Sequence, residues 1–365
     1  MSSKRKRIAA LAVNLAGVLA FVLILYLGGL RAWDQILKSD WLLMLAALGV
    51  TLIWNVIATY RWAIIADRVT ESADGCPFRY YFTYHMLGML LGQVAPITVG
   101  MLGGRPAALS LSRGVPLTRS ALSVFLDKFF DLILALLLVL PTAFYLVGWL
   151  SLAASLAIMA CLVLAAVLLI SWRYEWAVRA LARVGARLAL PLSHLPLVGK
   201  RLAQRLPAQL ERLSQASVGA NGLATKAFLV TLVMYALLAA RLVFMAEAFR
   251  LSIPWYLLAM SVCVTQLTLI FSVTPGSLGF LEGGWAAVFS LGGVPLEQYT
   301  VFVIGRRFYF LIFTALITLL AFAWIRESPA HLFRAVLTAS RRHGADSDAG
   351  GIERSEESTL RALER

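Results

Sequence analysis

LILALLLVLPTAFYLVGWLSLAASLAIMACLVLAAVLLISW, residues Leu132 to Trp172, runs for 41 residues without one charged side chain. A bilayer core is crossed by about 20 residues of helix, so this stretch is two spans joined by a turn, and Gly148 to Ser151 supplies the turn residues. Working outward, further spans are expected at Trp41 to about Ala66, Ala227 to about Phe249 and Phe308 to Ile325. Near the N-terminus, Lys4, Arg5, Lys6 and Arg7 precede an uncharged run from Ile8 to Leu30 with no A-x-A-like cleavage site at its end. That pattern reads as an uncleaved first helix whose N-terminus is cytoplasmic.

Composition agrees. Of 365 residues 60% are hydrophobic and 14% charged, with a mean hydropathy of +0.80. Soluble domains carry about 25% charged residues, so a cytosolic enzyme, a disulfide-rich secreted module and a disordered tail protein are excluded. The net charge of +14 lies in segments flanking apolar spans, where positive-inside bias and anionic lipid explain it without nucleic acid. Cys76, Cys161 and Cys263 stand far apart, which implies neither a disulfide nor a zinc site. His85, alone in an apolar stretch, reads as a hydrogen-bonded packing residue.

Two more apolar segments, Tyr80 to Val99 and Leu251 to Val273, each run into a Pro/Gly-rich stretch. Treating both as re-entrant puts the loop Arg173 to Gly222, with eight Lys/Arg against two acids, and the segment Arg326 to Arg342 on the cytoplasmic side. The expected fold is therefore an all-α polytopic membrane protein with eight hydrophobic segments: six full spans and two re-entrant helical hairpins. One membrane domain is expected over residues 1–327, followed by a partly disordered cytoplasmic tail over 328–365. In the basic loop, Arg179, Arg183 and Arg187 recur every four residues, the spacing of an amphipathic helix on an anionic leaflet; a solvated connector is the alternative.

The chain also aligns with itself. VTLIWNVIATYRWAIIAD from Val50 matches VTLVMYALLAARLVFMAE from Val230 in a register of 180 residues, pairing Arg61 with Arg241 and Asp67 with Glu247. Within a residue of that register Pro96 meets Pro275, Gly100 meets Gly279, Gly103 and Gly104 meet Gly283 and Gly284, and Asp127-Lys128 meet Arg306-Arg307. Two repeats result, about 8–150 and 151–327. Each holds three crossings, and an odd number inverts the second copy, a recurring plan of secondary transporters.

Helix breaks at membrane depth must be shielded by protein or face a wet cavity, and half-helix N-termini there favour phosphate or carboxylate. Around the breaks lie Arg61, Arg105, Arg241, Arg306 and Arg307 with Asp127, Asp131, Glu247 and Glu282. Two readings stay open. In one, Arg61, Arg105 and Arg241 bind an anionic head group at the breaks formed by Pro96, Gly103, Gly104, Pro275, Gly276, Gly279 and Glu282, while Asp127, Lys128, Asp131, Arg306 and Arg307 gate it or form ion pairs. In the other, Asp127 and Asp131 pair with Arg306, Arg307 or Lys128 as clamps between repeats, and Arg61 with Asp67 marks a membrane boundary.

At these residues the chain resembles the lysylphosphatidylglycerol synthase transmembrane-domain family, also called flippase-like membrane proteins. The motifs are YRW at Tyr60 to Trp62, P-x-x-x-G-x-x-G-G-R from Pro96 to Arg105, D-K-x-x-D from Asp127 to Asp131 and P-G-x-x-G-x-x-E from Pro275 to Glu282. The resemblance covers roughly Leu11 to Ile325. The family includes the lipid-flipping half of the multiple peptide resistance factor, hopanoid-associated proteins and an archaeal glycosylation protein, which implies handling of lipid or lipid-linked sugar. Two departures concern head-group selectivity: Gly103-Gly104 directly precede Arg105 where the family often carries an acid, and Lys128 stands where arginine is usual. The aminoacyl-transferase domain of synthase members has no counterpart after Ile325, so no enzymatic activity is carried over.

The function these observations imply is a flippase of a bacterial cytoplasmic membrane, with both termini cytoplasmic, moving an anionic or polyprenyl-phosphate-linked lipid. Its partners would be membrane lipids, a second copy in a homodimer, and lipid-biosynthesis enzymes; no cofactor is implied. A non-transporting scaffold and a lipid-linked glycosyltransferase are the alternatives, the latter handicapped because Asp34 and Asp40 on a short loop are its best base candidates.

Overall fold

Several helices in this chain begin at a capping carboxylate or a proline, and some end at a glycine, as at Gly114 and Gly292. The computed structural model describes residues 26, 33–70, 76–94, 100–192, 221–272 and 274–325, with the backbone alone at 94, 102, 111, 112, 118, 173–192, 221 and 271. Helix α1 (Trp41–Thr70) starts where Asp40 Oδ1 accepts the N–H groups of Leu42 and Leu43 at 2.9 and 3.2 Å, the usual N-cap arrangement. A short helix α2 (Phe78–Val94) precedes a π-helical turn at Gly100–Gly104 and helix α3 (Arg105–Arg113). Pro116 opens α4 (Leu117–Leu146), and a turn at Gly148 reverses the chain into α5 (Leu152–Leu192). The second half supplies α6 (Asn221–Ala248), α7 (Trp255–Phe271) after Pro254, α8 (Phe280–Leu291) and α9 (Leu296–Ile325).

Among the described residues every regular element is a helix, and five are long and apolar enough to cross a membrane: α1, α4, the first part of α5 to Trp172, α6 and α9. The protein is thus a multi-pass membrane protein. The uncharged 41-residue stretch is a helical hairpin turning at Gly148. The expected first span, 8–30, and the tail 328–365 lie outside the described residues. Two boundaries differ from expectation. The last span begins at Leu296 rather than Phe308, because Arg306 and Arg307 are absorbed into the helix instead of ending it. The basic stretch 173–192 is helical as the direct continuation of the preceding span.

Helices α2 and α7 each have 17 residues, about 25 Å at 1.5 Å per residue, short of the roughly 30 Å hydrocarbon core. Each folds back against the short helical segment that follows it, α2 on the π turn and α3, and α7 on α8. The most extensive helix pair is α1 on α6. Around it α2 packs on α9, while α7 packs on α4. Polar residues of α1 satisfy themselves within the helix: Thr51, Asn55 and Thr59 donate to the carbonyls of Ala47, Thr51 and Asn55 at 2.7, 2.8 and 2.7 Å. Each of these three side chains thereby finds an acceptor where water is scarce.

Small residues set the closest approach, as in other membrane helix pairs. A methyl group added at Gly100 would lie 2.7 Å from the Gly88 carbonyl and 2.8 Å from Gly92 Cα, both backbone atoms of α2, whereas at Gly103 it would meet nothing within 4 Å. Gly100→Ala is therefore expected to destabilise the protein by about 1–3 kcal/mol through overpacking, with Gly103→Ala within about 0.5 kcal/mol of wild type. Thermal unfolding of the two variants in the same detergent measures the difference.

Candidate functional site

Asp127 and Asp131 are four residues apart on α4 and so share one helical face. Both reach Arg61, on the facing side of α1. Arg61 Nε donates to Asp127 Oδ1 at 2.8 Å, and its Nη1 donates to Asp131 Oδ1 and to Thr231 Oγ1, each at 2.6 Å. The guanidinium is fully buried, so one cation ties α1 to α4 and α6. Lys128, one residue on from Asp127, turns its ammonium onto Asp131 Oδ2 at 2.9 Å. From the start of α3, Arg105 Nη1 donates to Asp127 Oδ2 at 3.2 Å and its Nη2 to His85 Nδ1. The imidazole's other nitrogen lies 3.0 Å from Asn55 Oδ1, which assigns the proton to Nε2, since Nδ1 is accepting from arginine. Arg105 also lies over the Trp62 ring, 5.1 Å from its centroid, and Trp62 Nε1 donates to Ser123. The YRW motif thus contributes a buried cation and the aromatic face that covers its neighbour.

A second cluster sits at the break before α8. Gly279 N–H donates to Glu282 Oε2 at 2.8 Å, the N-terminal half of a capping arrangement, and the other carboxylate oxygen accepts from Arg307 Nη1. Arg307 Nη2 also donates to the Gly276 carbonyl at 2.7 Å. Gly276 has φ 58°, and a Cβ there would meet Arg307 Nη2 and the Gln93 carbonyl at 2.9 Å each, so only glycine lets this loop approach the end of α2.

Between the clusters lies a cavity of about 230 Å³. Its wall is largely apolar, with Trp54, Met89, Phe129, Leu238 and Trp285 among the lining residues, and its cations are Lys128, Arg241, Arg306 and Arg307. Arg241 and Arg306 are only 6% and 7% exposed. Among the described residues neither meets a carboxylate, and the Nε of each is buried without a hydrogen-bond acceptor. They rest on aromatic faces instead: Arg306 is 4.1 Å from the Trp285 centroid, and Arg306 and Arg241 are 5.3 and 5.5 Å from that of Phe310. Cation–π contacts of this kind are worth about 0.5–2 kcal/mol, less than the several kcal/mol that desolvating an ion costs.

The structure sorts the sequence candidates. Arg241, Gly276, Lys128, Asp131, Arg306 and Arg307 line the cavity. Arg61, Arg105 and Asp127 form the closed network beside it, Glu282 and Gly279 stand behind Arg307, and Gly103 is exposed. Gly104 packs on Leu91 of α2, Pro275 opens the loop before α8, and Pro96 is outside the described residues. Of the pairing scheme, the Lys128–Asp131 contact is present, while the pairings with Arg306 and Arg307 are corrected. Asp127 and Asp131 are held by Arg61, with Arg105 and Lys128, rather than by Arg306 or Arg307. Arg307 is paired with Glu282. Asp67 accepts the Tyr81 hydroxyl at 2.7 Å. Asp34 and Asp40 are taken up by Lys38 and by the α1 cap. Sequence reading missed Phe310, Trp285 and Thr231. Trp285 was accessible from the self-alignment, since it follows Gly283-Gly284 as Arg105 follows Gly103-Gly104.

Because Asp127 is hydrogen-bonded to two buried arginines at once, Asp127→Ala is expected to cost about 3–5 kcal/mol. Lys128, whose side chain is 28% exposed, is expected to cost about 1 kcal/mol or less on truncation to alanine. Comparing the unfolding midpoints of the two variants in detergent checks this ordering.

Comparison with known proteins places this arrangement in a family. A UPF0104 membrane protein of Methanothermobacter thermautotrophicus is 24% identical over 297 residues, which cover 80% of this chain and 85% of that protein. No solved structure matches the chain. Residues 8–337 match the family described as the lysylphosphatidylglycerol synthase TM region, and with nearly the whole membrane part inside that match, the chain belongs to this family.

Proposed function

We propose that this protein moves a lipid with an anionic or polyprenyl-phosphate-linked head group between the leaflets of a bacterial cytoplasmic membrane, holding the head group in the central cavity. One observation carries the reading: Arg241 and Arg306 are buried, lack a carboxylate partner among the described residues, and line a cavity whose remaining wall is mostly apolar. A buried charge is retained only when something neutralises it, and a phosphate does so with charge-assisted hydrogen bonds from guanidinium. The apolar lining suits acyl or prenyl carbon next to that phosphate. Arg61 and Arg105, already engaged by Asp127 and Asp131, hold the fold in this reading, and head-group recognition rests on Arg241 and Arg306 with Arg307 and Lys128 at the rim.

The transport plan is two inverted repeats in a single membrane domain over 1–327, with α2–α3 and α7–α8 as re-entrant hairpins and both termini cytoplasmic. Reciprocal packing supports it: α2 of the first half lies on α9 of the second, and α7 of the second lies on α4 of the first, around a central α1–α6 pair. The cavity lies at that junction, where transporters of this plan hold substrate. Membrane lipids are the proposed ligands, and a homodimer and lipid-biosynthesis enzymes the proposed protein partners.

Mass spectrometry of lipids retained by gently purified protein, with Arg241→Gln and Arg306→Gln at matched folded yield, tests the reading. An anionic lipid enriched in wild type and reduced at least about tenfold in both variants is expected, together with slower translocation of a fluorescent anionic lipid in proteoliposomes. Retained lipid identical to the bulk membrane in all three proteins would overturn it.

A further inference from the structure

The two halves treat equivalent arginines differently. In the internal register Arg241 corresponds to Arg61, Arg306 to Asp127, Arg307 to Lys128 and Phe310 to Asp131. In the first half both carboxylates bind the central arginine, at 2.8 and 2.6 Å. In the second half the same positions carry a further arginine and a phenylalanine, so Arg241 has lost both internal anions and gained a neighbouring cation. The cavity wall shows the consequence. Lys128 is paired with Asp131, and Arg307 with Glu282; among the described residues Arg241 and Arg306 meet no carboxylate, and both lie against the face of Phe310.

Resting on the lipid-binding reading above, we propose that the cavity selects a doubly charged phosphate monoester at the end of an apolar chain, over a singly charged phosphodiester or a zwitterionic head group. The ligand phosphate stands where the first half keeps its Asp127 and Asp131 carboxylates, and two negative charges neutralise the two unpaired guanidinium groups. A phosphodiester carries one charge and leaves one buried arginine uncompensated. The cavity of about 230 Å³ is lined mainly by apolar side chains beside the two guanidinium groups. That lining suits a phosphate with the first carbons of its chain against the apolar wall.

The test measures binding of defined ligands to the detergent-purified full chain by native mass spectrometry and thermal shift. The probes are dioleoyl phosphatidic acid, a polyprenyl monophosphate, phosphatidylglycerol, phosphatidylcholine and inorganic phosphate. At pH 8 both monoester lipids are expected to bind at least about tenfold more tightly than phosphatidylglycerol. At pH 5, below a second phosphate pKa of about 6, the monoester is a monoanion and the preference is expected to shrink to within about threefold. Arg306→Asp, which restores the acid found at Asp127, is expected to abolish the preference and raise the unfolding temperature. Arg306→Gln, if the first variant does not fold, is expected to abolish the preference alone. Equal affinity for phosphatidic acid and phosphatidylglycerol at pH 8, with both lost in Arg241→Gln, overturns the monoester inference and leaves the anionic-lipid reading standing. Undiminished binding of both lipids to folded Arg241→Gln and Arg306→Gln overturns both. Inorganic phosphate binding as tightly as the monoester lipids overturns the requirement for an apolar chain.

Discussion

A guanidinium at the centre of a helix bundle, fully buried and far along an apolar span, must have its charge answered by protein, and Arg61 is answered by two carboxylates at once. That requirement organises the first half of the molecule. It fixes the rotation of α4, since only one face carries residues 127 and 131 together. It fixes α6 through Thr231, and it recruits Arg105 at the start of α3 by sharing Asp127. The break between α2 and α3 is thereby anchored to the long spans, and the Arg105–His85–Asn55 chain carries the same network back to α1. Buried ion pairs are poor sources of net stability; their effect here is specificity, because any register of α1 against α4 other than the observed one strands a charge in a medium with no water to take it.

The second half solves its break differently. Glu282 serves the N-terminus of α8 and Arg307 together, and Arg307 passes the constraint to the Gly276 carbonyl. Arg241 and Arg306 are left with aromatic faces, which attract a cation without neutralising it. The first half therefore gives each of its clustered cations a carboxylate contact, whereas Arg241 and Arg306 of the second meet none among the described residues, and the cavity between the halves is lined by both of these arginines. The apolar matches between the halves concealed this difference, and the mismatches at Asp127 and Asp131 are where it resides.

Much of the architecture was legible in the chain because membrane insertion reads simple quantities. Charge-free length located the hairpin at Gly148, and Pro/Gly clusters located both short helices. The spacing of Asp127 and Asp131 announced a shared face. The partners of those carboxylates were not legible, because five arginines near helix breaks look alike until packing decides which of them α4 faces. Arg306 and Arg307 misled the placement of α9 for a related reason: a hydropathy reading ends a span at a charge pair, whereas one of these cations lies between aromatic rings and the other on Glu282, so the helix continues through both to Leu296. The segments holding Pro96 and the expected first span fall outside the described residues, and the structure adds nothing to the sequence there.

Asp131 belongs to both regimes. One of its oxygens holds Arg61 in the closed network, and the other holds Lys128, whose side chain reaches the cavity wall. In the proposed reading, an anion held beside Arg241 and Arg306 would also meet Lys128, which shares the cavity wall with them. The cavity wall and the Arg61 network are thus joined at one carboxylate of α4, the long helix against which the short α7 of the other half is packed, so substituting Asp131 disturbs both together.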